Sequence, residues 1–396
     1  MNDNSTAAVK ISSNQTTHNS GESYDEQLLK RSKNVNFDVE AWYKIIKSET
    51  FHTKLLPVSP SLAQAFVNFY QTRFMLKTSL TLHDVELIQS MRHQLKEQIF
   101  NSNHTSFIRL SARSPKDGKP LDSGKIGEFY QEKLSELQAK YPNEYQTTKG
   151  KANIQTIALY YAQFHSLKVT NEDQALNLIF TSERIYHDLI EILDCHEVKE
   201  NQVENVNHTK VFDWDNHLII RQWNDDLDPS MEFRCFVHQS NLTAISQYNY
   251  LCKQYHLQDE NTVKCIKATI ENYWRTRIQP LFDPYSDQYS NYVIDIGLIE
   301  NKTTKQYDCI VIELNPFERT THPSLFDWIK DADQLRGETN QLEMRVQTDY
   351  YPYIEDYIEF LLEVNYCNEL NEASSDRPGM EPYFMFLDQI KTQLSS

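Results

Sequence analysis

The chain has 396 residues and a formal net charge of −17, with 39% hydrophobic and 12% aromatic residues. That charge excludes a broadly basic nucleic-acid-binding surface, and the apolar content suffices for one large domain or two ordinary ones. The six cysteines form no C-x-x-C pair, no apolar run is long enough to cross a membrane, and the first residues lack the apolar core of a signal peptide. These features argue against a zinc site and predict a reduced, cytoplasmic, monomeric protein with no nucleic-acid or membrane partner.

Residues 1–35, rich in Ser, Asn and Thr, are expected to be a disordered tail. Residues 36–102 read as a helical region. Trp42, Ile45 and Ile46 mark a first amphipathic helix. Ser61 is expected to cap a second, with Leu62, Phe66, Phe69 and Tyr70 on one stripe. Thr81 or Asp84 starts a third that runs to Phe100, with Val85, Ile88, Met91 and Leu95 inward.

Ser106–Ala112 is predicted as a short strand, followed by the turn Ser114-Pro-Lys-Asp-Gly118. Three of the eight glycines, Gly118, Gly124 and Gly127, fall here. Glycine lets backbone N–H groups approach a phosphate, and Lys116 could supply a point charge. A flexible surface loop fits the same residues. Neither the P-loop nor the dinucleotide fingerprint is present.

Helices are predicted over Lys151–Lys168 and Asn171–Asp194, and a polar loop over Glu197–Asp215. His217–Trp223 reads as a buried strand carrying Arg221. The next run, Pro229–Val237, alternates strictly: Glu232, Arg234 and Phe236 on one face, Phe233, Cys235 and Val237 on the other. Either Glu232 pairs with Arg234, or Arg221 and Arg234 meet a nucleotide phosphate. A turn at Ser240-Asn241 leads into a strand over Leu242–Tyr250. Asp259 or Asn261 is expected to cap a long helix to about Phe282.

Two β-runs follow, Tyr292–Ile299 and Asp308–Leu314, each with a carboxylate where a strand should be apolar. In a hairpin centred on Thr304, Asp295 faces Glu313 directly, and alternation puts Glu313 and Asn315 on one face with Val311. Opposed carboxylates repel unless something compensates, and magnesium, which takes oxygen ligands and phosphates, suits the pattern. A solvated face of an edge hairpin would also satisfy it. On the metal reading, Glu313→Ala should leave the fold intact, because it removes a repelling charge. A charged loop to about Gln347 and an acidic-faced helix over Tyr350–Val364 complete the reading.

Leading helices with antiparallel strands in the middle predict an α+β fold. Basic groups on early strands and D…E-x-N on a late hairpin have the layout of an ATP-grasp site, in which two α+β subdomains with mainly antiparallel sheets clamp Mg-ATP. The core is placed at 103–330, between the N-terminal helices and a C-terminal helical extension at 331–396.

The chain resembles the cell-division-cycle protein 123 family in Ile219–Trp223 (IIRQW), Met231–Val237 (MEFRCFV), Ala244–Asn249 (AISQYN), the Asp295 strand, Glu313–Phe317 (ELNPF) and Leu325–Trp328 (LFDW). Ser114–Asp117 (SPKD) and Thr181–Arg184 (TSER) match more loosely. The resemblance implies an ATP-grasp fold that binds Mg-ATP and an assembly factor that binds the gamma subunit of translation initiation factor 2. Carried over, Asp295, Glu313 and Asn315 would hold magnesium, Lys116 and Arg234 would reach the phosphates, and Arg221 and Trp223 would lie where the adenine is expected. Glu313 and His322 stand where the family usually has Asp. The alternative is an ATP-grasp ligase that joins a carboxylate to an amine through an acyl phosphate.

Overall fold

Two mainly antiparallel sheets, set against each other and flanked by helices, organise the chain. The computed structural model describes residues 34–75, 79–99, 105–122, 124–202, 214–362 and 383–395. The expected tail before Asn34, the end of the third helix at Phe100 and most of the predicted 197–215 loop lie outside these residues.

The small sheet has the order β1-β3-β2, from Thr53–Pro57 (β1), Ser106–Leu110 (β2) and His217–Gln222 (β3). The large sheet has the order β7-β6-β4-β5-β8, from Glu232–His238 (β4), Asn241–Gln247 (β5), Tyr292–Glu300 (β6), Tyr307–Pro316 (β7) and Glu343–Arg345 (β8). All pairs are antiparallel except β5 with β8. β1 lies inside the region read as purely helical, and β8 inside the loop read as charged. Both are short edge strands, and β1 ends in a proline, so neither shows a clear alternation.

One face of the small sheet is covered by helices. These are α2 (Pro60–Tyr70), α3 (Leu82–Ile99), α6 (Glu172–Thr181) and α7 (Glu183–Gln202), which bury Phe66, Phe69, Ile88, Leu176 and Phe180 with Ile108, Leu218 and Ile220. Within the expected C-terminal helical extension, α10 (Tyr383–Ser395) adds Tyr383 and Leu387 to this core. The other face turns Leu55 and Ile219 toward the large sheet. There they join a core with Phe233, Cys235, Ile294 and Val311, covered by α1 (Val39–Ile46) and α8 (Glu260–Tyr273). Helices α4 (Gly124–Lys140), α5 (Thr148–Ser166) and α9 (Ile354–Leu362) form a third layer.

Two helix starts differ from expectation. The cap of α2 is Ser59, whose hydroxyl accepts from Leu62 N at 3.2 Å, because Pro60 takes the first helical position where no N–H is needed. Asn171–Asp194 is two helices. Ser182 leaves helical backbone at ψ 114°, and its hydroxyl accepts from Ile185 N at 3.2 Å to restart the chain as α7. Thr81 and Asp84 together start α3, each side chain bonded to the other's backbone N–H.

Asp295 pairs with Glu313 as expected, although the hairpin is not centred on Thr304: nearer the turn Glu300 pairs with Tyr307, a register that without a bulge would bring Ile312 opposite Asp295. The register then slips, Ile296 pairs with Val311, and Ile312 is left as a bulge. The bulge reverses the face expected for Val311. It is buried in the apolar core, while Glu313 and Asn315 remain on the side of Asp295.

Candidate functional site: a charged row in the cleft between the sheets

Cross-strand pairing lays Ser246, Arg234, Asp295 and Glu313 in one row across β5, β4, β6 and β7. On β4, Arg234 does not pair with Glu232. Its Nε and Nη2 bond the two oxygens of Asp295 at 2.8 and 2.7 Å, and its Nη1 bonds the His322 carbonyl at 2.6 Å. Asp295 is fully buried and also accepts from Asn315 Nδ2 at 3.3 Å. Glu313 is held from the other sheet, where Arg109 Nη1 on β2 donates to its Oε1 at 2.6 Å. The repulsion between the two carboxylates is therefore offset by two guanidiniums. Burial works to raise the Glu313 carboxyl, but Arg109 and Lys116 outweigh it and hold it at about 2.

Glu232 is the orphan of this face. It is 7% exposed, and among the described residues no side chain or backbone N–H donates to its carboxylate. Burial, with Asp295 and Glu313 nearby, pushes it up to about 8 against the pull of Lys116 and Arg234.

Lys116 comes from the Ser114–Asp117 turn. Its Nζ bonds the Tyr248 hydroxyl at 2.8 Å and lies 4.9 Å from that ring, which Arg234 also covers at 4.8 Å. The residue is exposed, yet Tyr248, Glu232 and Glu313 raise its ammonium against the effect of burial, so it stands inside an open cleft. The turn is not a loose surface loop. Asp117 accepts from the Ser182 hydroxyl and from Arg184 N at 3.1 Å, and Lys119 N bonds Thr181 Oγ1 at 2.7 Å. At Gly118, a Cβ would lie 2.4 Å from the Leu178 carbonyl oxygen. The SPKD turn and the TSER segment are thus one unit. Arg184, at the start of α7, has its charge opposed by burial and Arg113 and supported by Asp117 and Glu313. Arg113 itself forms a two-point pair with Asp188 at 3.0 and 2.9 Å.

Two expected site residues are engaged elsewhere. Arg221, 3% exposed, donates to the carbonyl of the bulged Ile312 and to Thr50 Oγ1, and lies over the Phe51 ring at 4.7 Å. Burial and Arg109 bring it down to about 9. It braces the small sheet against the large one. Trp223 packs on Phe164 of α5 at 4.9 Å and donates to Asp225 at 3.0 Å. His322 stacks on Tyr250 at 4.5 Å. The structure therefore brings together Lys116, Arg234, Asp295, Glu313 and Asn315, and adds Arg109, Arg184, Glu232 and Tyr248. A lone arginine inside the apolar run Phe107–Leu110 was the available signal for Arg109. TSER carried Arg184, and AISQYN carried Tyr248.

The second oxygen of Glu313 is a hard donor of the kind magnesium takes, whereas both Asp295 oxygens are held by Arg234 and Asn315 presents its amide N–H, so these two would have to share or turn their polar atoms to join it. Rotation of the Asn315 amide would turn its oxygen toward Asp295.

Fold and site define a mixed α+β protein with antiparallel-dominated sheets and a charged cleft between them. The D123 family model matches residues 42–352, and the chain belongs to that family. It is similar to the translation initiation factor eIF2 assembly protein of Kluyveromyces lactis, 30% identical over 188 residues, covering 46% of this chain and 44% of that one. The protein of the same name from Dictyostelium discoideum is 28% identical over 165 residues, 42% of this chain and 37% of that one. The chain thus matches less than half the length of these two relatives. A putative CDC123-like protein of Acanthamoeba polyphaga mimivirus is 24% identical over 323 residues, covering 79% and 75%. The solved structure of Cdc123 from Schizosaccharomyces pombe aligns with a TM-score of 0.48 and 19% identity, over 82% of this chain and 97% of that one. No helix among the described residues is long and apolar enough to cross a membrane.

Proposed function

We propose that the cleft binds Mg-ATP in the manner of an ATP-grasp protein, and that the chain acts in the cytoplasm as an ATP-dependent assembly factor for translation initiation factor 2 through its gamma subunit. The observation that carries this reading is the convergence of cations from β2 and the turn after it (Arg109, Arg113, Lys116), from α7 (Arg184) and from β4 (Arg234), with Arg109, Arg113 and Arg234 each tied to a carboxylate and Lys116 and Arg184 left to meet a ligand. A triphosphate suits such a cluster, because it brings several negative charges to one place.

Lys116 and Arg184 have the freest charges and would meet the phosphates. Arg234 would position Asp295 while lending its outer N–H to an oxygen. Asp295, Glu313 and Asn315 would hold magnesium, which when bound neutralises phosphate charge and fixes the phosphate geometry. Trp223 and Arg221 remain the candidates for the adenine side. Arg221 would act there by fixing the small sheet against the bulge. Family membership favours the assembly-factor reading over the ligase.

The test is a pull-down of the gamma subunit of translation initiation factor 2 from a eukaryotic lysate, with and without Mg-ATP. The proposal expects retention by the wild type and reduced retention by Lys116→Ala. Mg-ATP binding with no retained gamma subunit would remove the assembly role and leave the nucleotide site standing.

A further inference from the structure

A second cluster of ligand atoms lies away from the cleft, where α1 meets the start of β3. It consists of Glu40 on α1, Asp215 in the loop before β3, and His217 at the first position of β3. The Glu40 side chain is 10% exposed, and neither of its oxygens has a hydrogen-bond partner. His217 Nδ1 is likewise buried and unbonded. A buried carboxylate whose cationic neighbour, His217 Nδ1, stands 3.6 Å away is poorly compensated, and a second carboxylate beside it adds repulsion.

The spacing indicates what is wanted. His217 Nδ1 lies 3.6 Å from Glu40 Oε1 and 3.4 Å from Asp215 Oδ1. A charge-assisted hydrogen bond would draw these atoms to about 2.7–2.9 Å. Metal bonds of about 2.0–2.1 Å in a tetrahedral zinc site instead hold neighbouring ligand atoms roughly 3.3–3.4 Å apart. Both distances are within ion-pair reach of a protonated His217, and they also match the separation of neighbouring ligand atoms around one ion.

The backbone under the site is fixed. His217 N donates to Ser111 Oγ at 2.8 Å, Ser111 N donates to the His217 carbonyl at 3.1 Å, and Val39 N donates to the Ser111 carbonyl at 3.2 Å. Helix α1 and strand β3 are therefore held in register around the three ligands. Asp215 has a side chain 66% exposed, which leaves an entry path and a fourth position for water.

We infer that Glu40, Asp215 and His217 form a structural zinc site that staples α1, packed on the large sheet, to β3 of the small sheet. The scattered cysteines argue only against a thiolate site, and this one uses imidazole and carboxylate. It is independent of the nucleotide reading, since none of its ligands contributes to the cleft.

The full chain, passed over a desalting column after incubation with zinc chloride, is expected to retain about one zinc ion, and His217→Ala and Glu40→Gln to lose it. Asp215→Asn, at an exposed position that spares the fold, should weaken zinc at least about tenfold. Chelation should lower the melting temperature of the wild type, and zinc, but not magnesium, should restore it. The inference is overturned if the wild type keeps no zinc and its melting temperature ignores zinc. It is overturned equally if bound zinc persists in both Glu40→Gln and Asp215→Asn.

Discussion

Arg109 on β2 and Glu313 on β7 form an ion pair at 2.6 Å that joins the two sheets, with the arginine side chain 4% exposed. This pair changes what a mutation at Glu313 does. The opposed carboxylates of the hairpin suggest that removing Glu313 relieves repulsion, whereas in the structure its removal strands a buried guanidinium. Glu313→Ala should destabilise by about 3 kcal/mol, the usual cost of breaking a buried pair from one side. Arg109→Met combined with Glu313→Leu should recover much of that loss. Urea unfolding of the three variants checks this, and equal stability of Glu313→Ala and wild type would contradict it.

The same pair sets an acid limit. Glu313 has its folded pKa depressed from 4.5 to about 2. Its contribution is complete above pH 4.5 and is lost as pH falls through about 2. The stability difference between wild type and Glu313→Gln, followed by melting temperature, should therefore shrink across that window.

Glu232 works in the opposite direction. Its folded pKa is raised from 4.5 to about 8, so between those values the folded state binds a proton that the unfolded chain has released. Stability should fall as pH rises through this range. Glu232→Gln should raise the melting temperature at pH 8 and match the wild type near pH 4.5. A constant difference across that range would show that Glu232 is not protonated in the fold.

Gly118 tests the pinned turn. A Cβ there meets a backbone oxygen at 2.4 Å, so the turn must shift in Gly118→Ala and carry Lys116 with it. Mg-ATP affinity, read by calorimetry, should drop about tenfold, equivalent to about 1.4 kcal/mol. An unchanged affinity would place Lys116 outside the site.

The pairing of Asp295 with Glu313 was legible because each β-run carries one carboxylate among apolar residues, but the arithmetic succeeded through two offsetting departures: the turn is not centred on Thr304, and the bulge at Ile312 restores the register. The bulge at Ile312 was not legible. Nothing in a run of apolar residues marks which one is left unpaired, and so the face of Val311 was misread and the role of its neighbour's carbonyl for Arg221 was hidden. Ser182 sits in an otherwise helical pattern, and its partner Asp117 is remote in sequence, so the break that positions Arg184 had no local signal. Arg109 and Glu313 are in the same position, far apart in the chain and joined only when the sheets meet. The alternative in which Glu232 pairs with Arg234 does not hold, because Asp295 offers Arg234 both oxygens on the neighbouring strand.

Calorimetric titration of Mg-ATP into the wild type and Lys116→Ala tests the central claim most directly. Lys116 is exposed on its turn, so its truncation should leave the fold intact by circular dichroism. The wild type should bind one Mg-ATP, lose binding when magnesium is withheld, and exceed the variant in affinity by at least about tenfold. No heat of binding in the folded wild type, or equal affinity in the two proteins, would contradict a nucleotide site in this cleft.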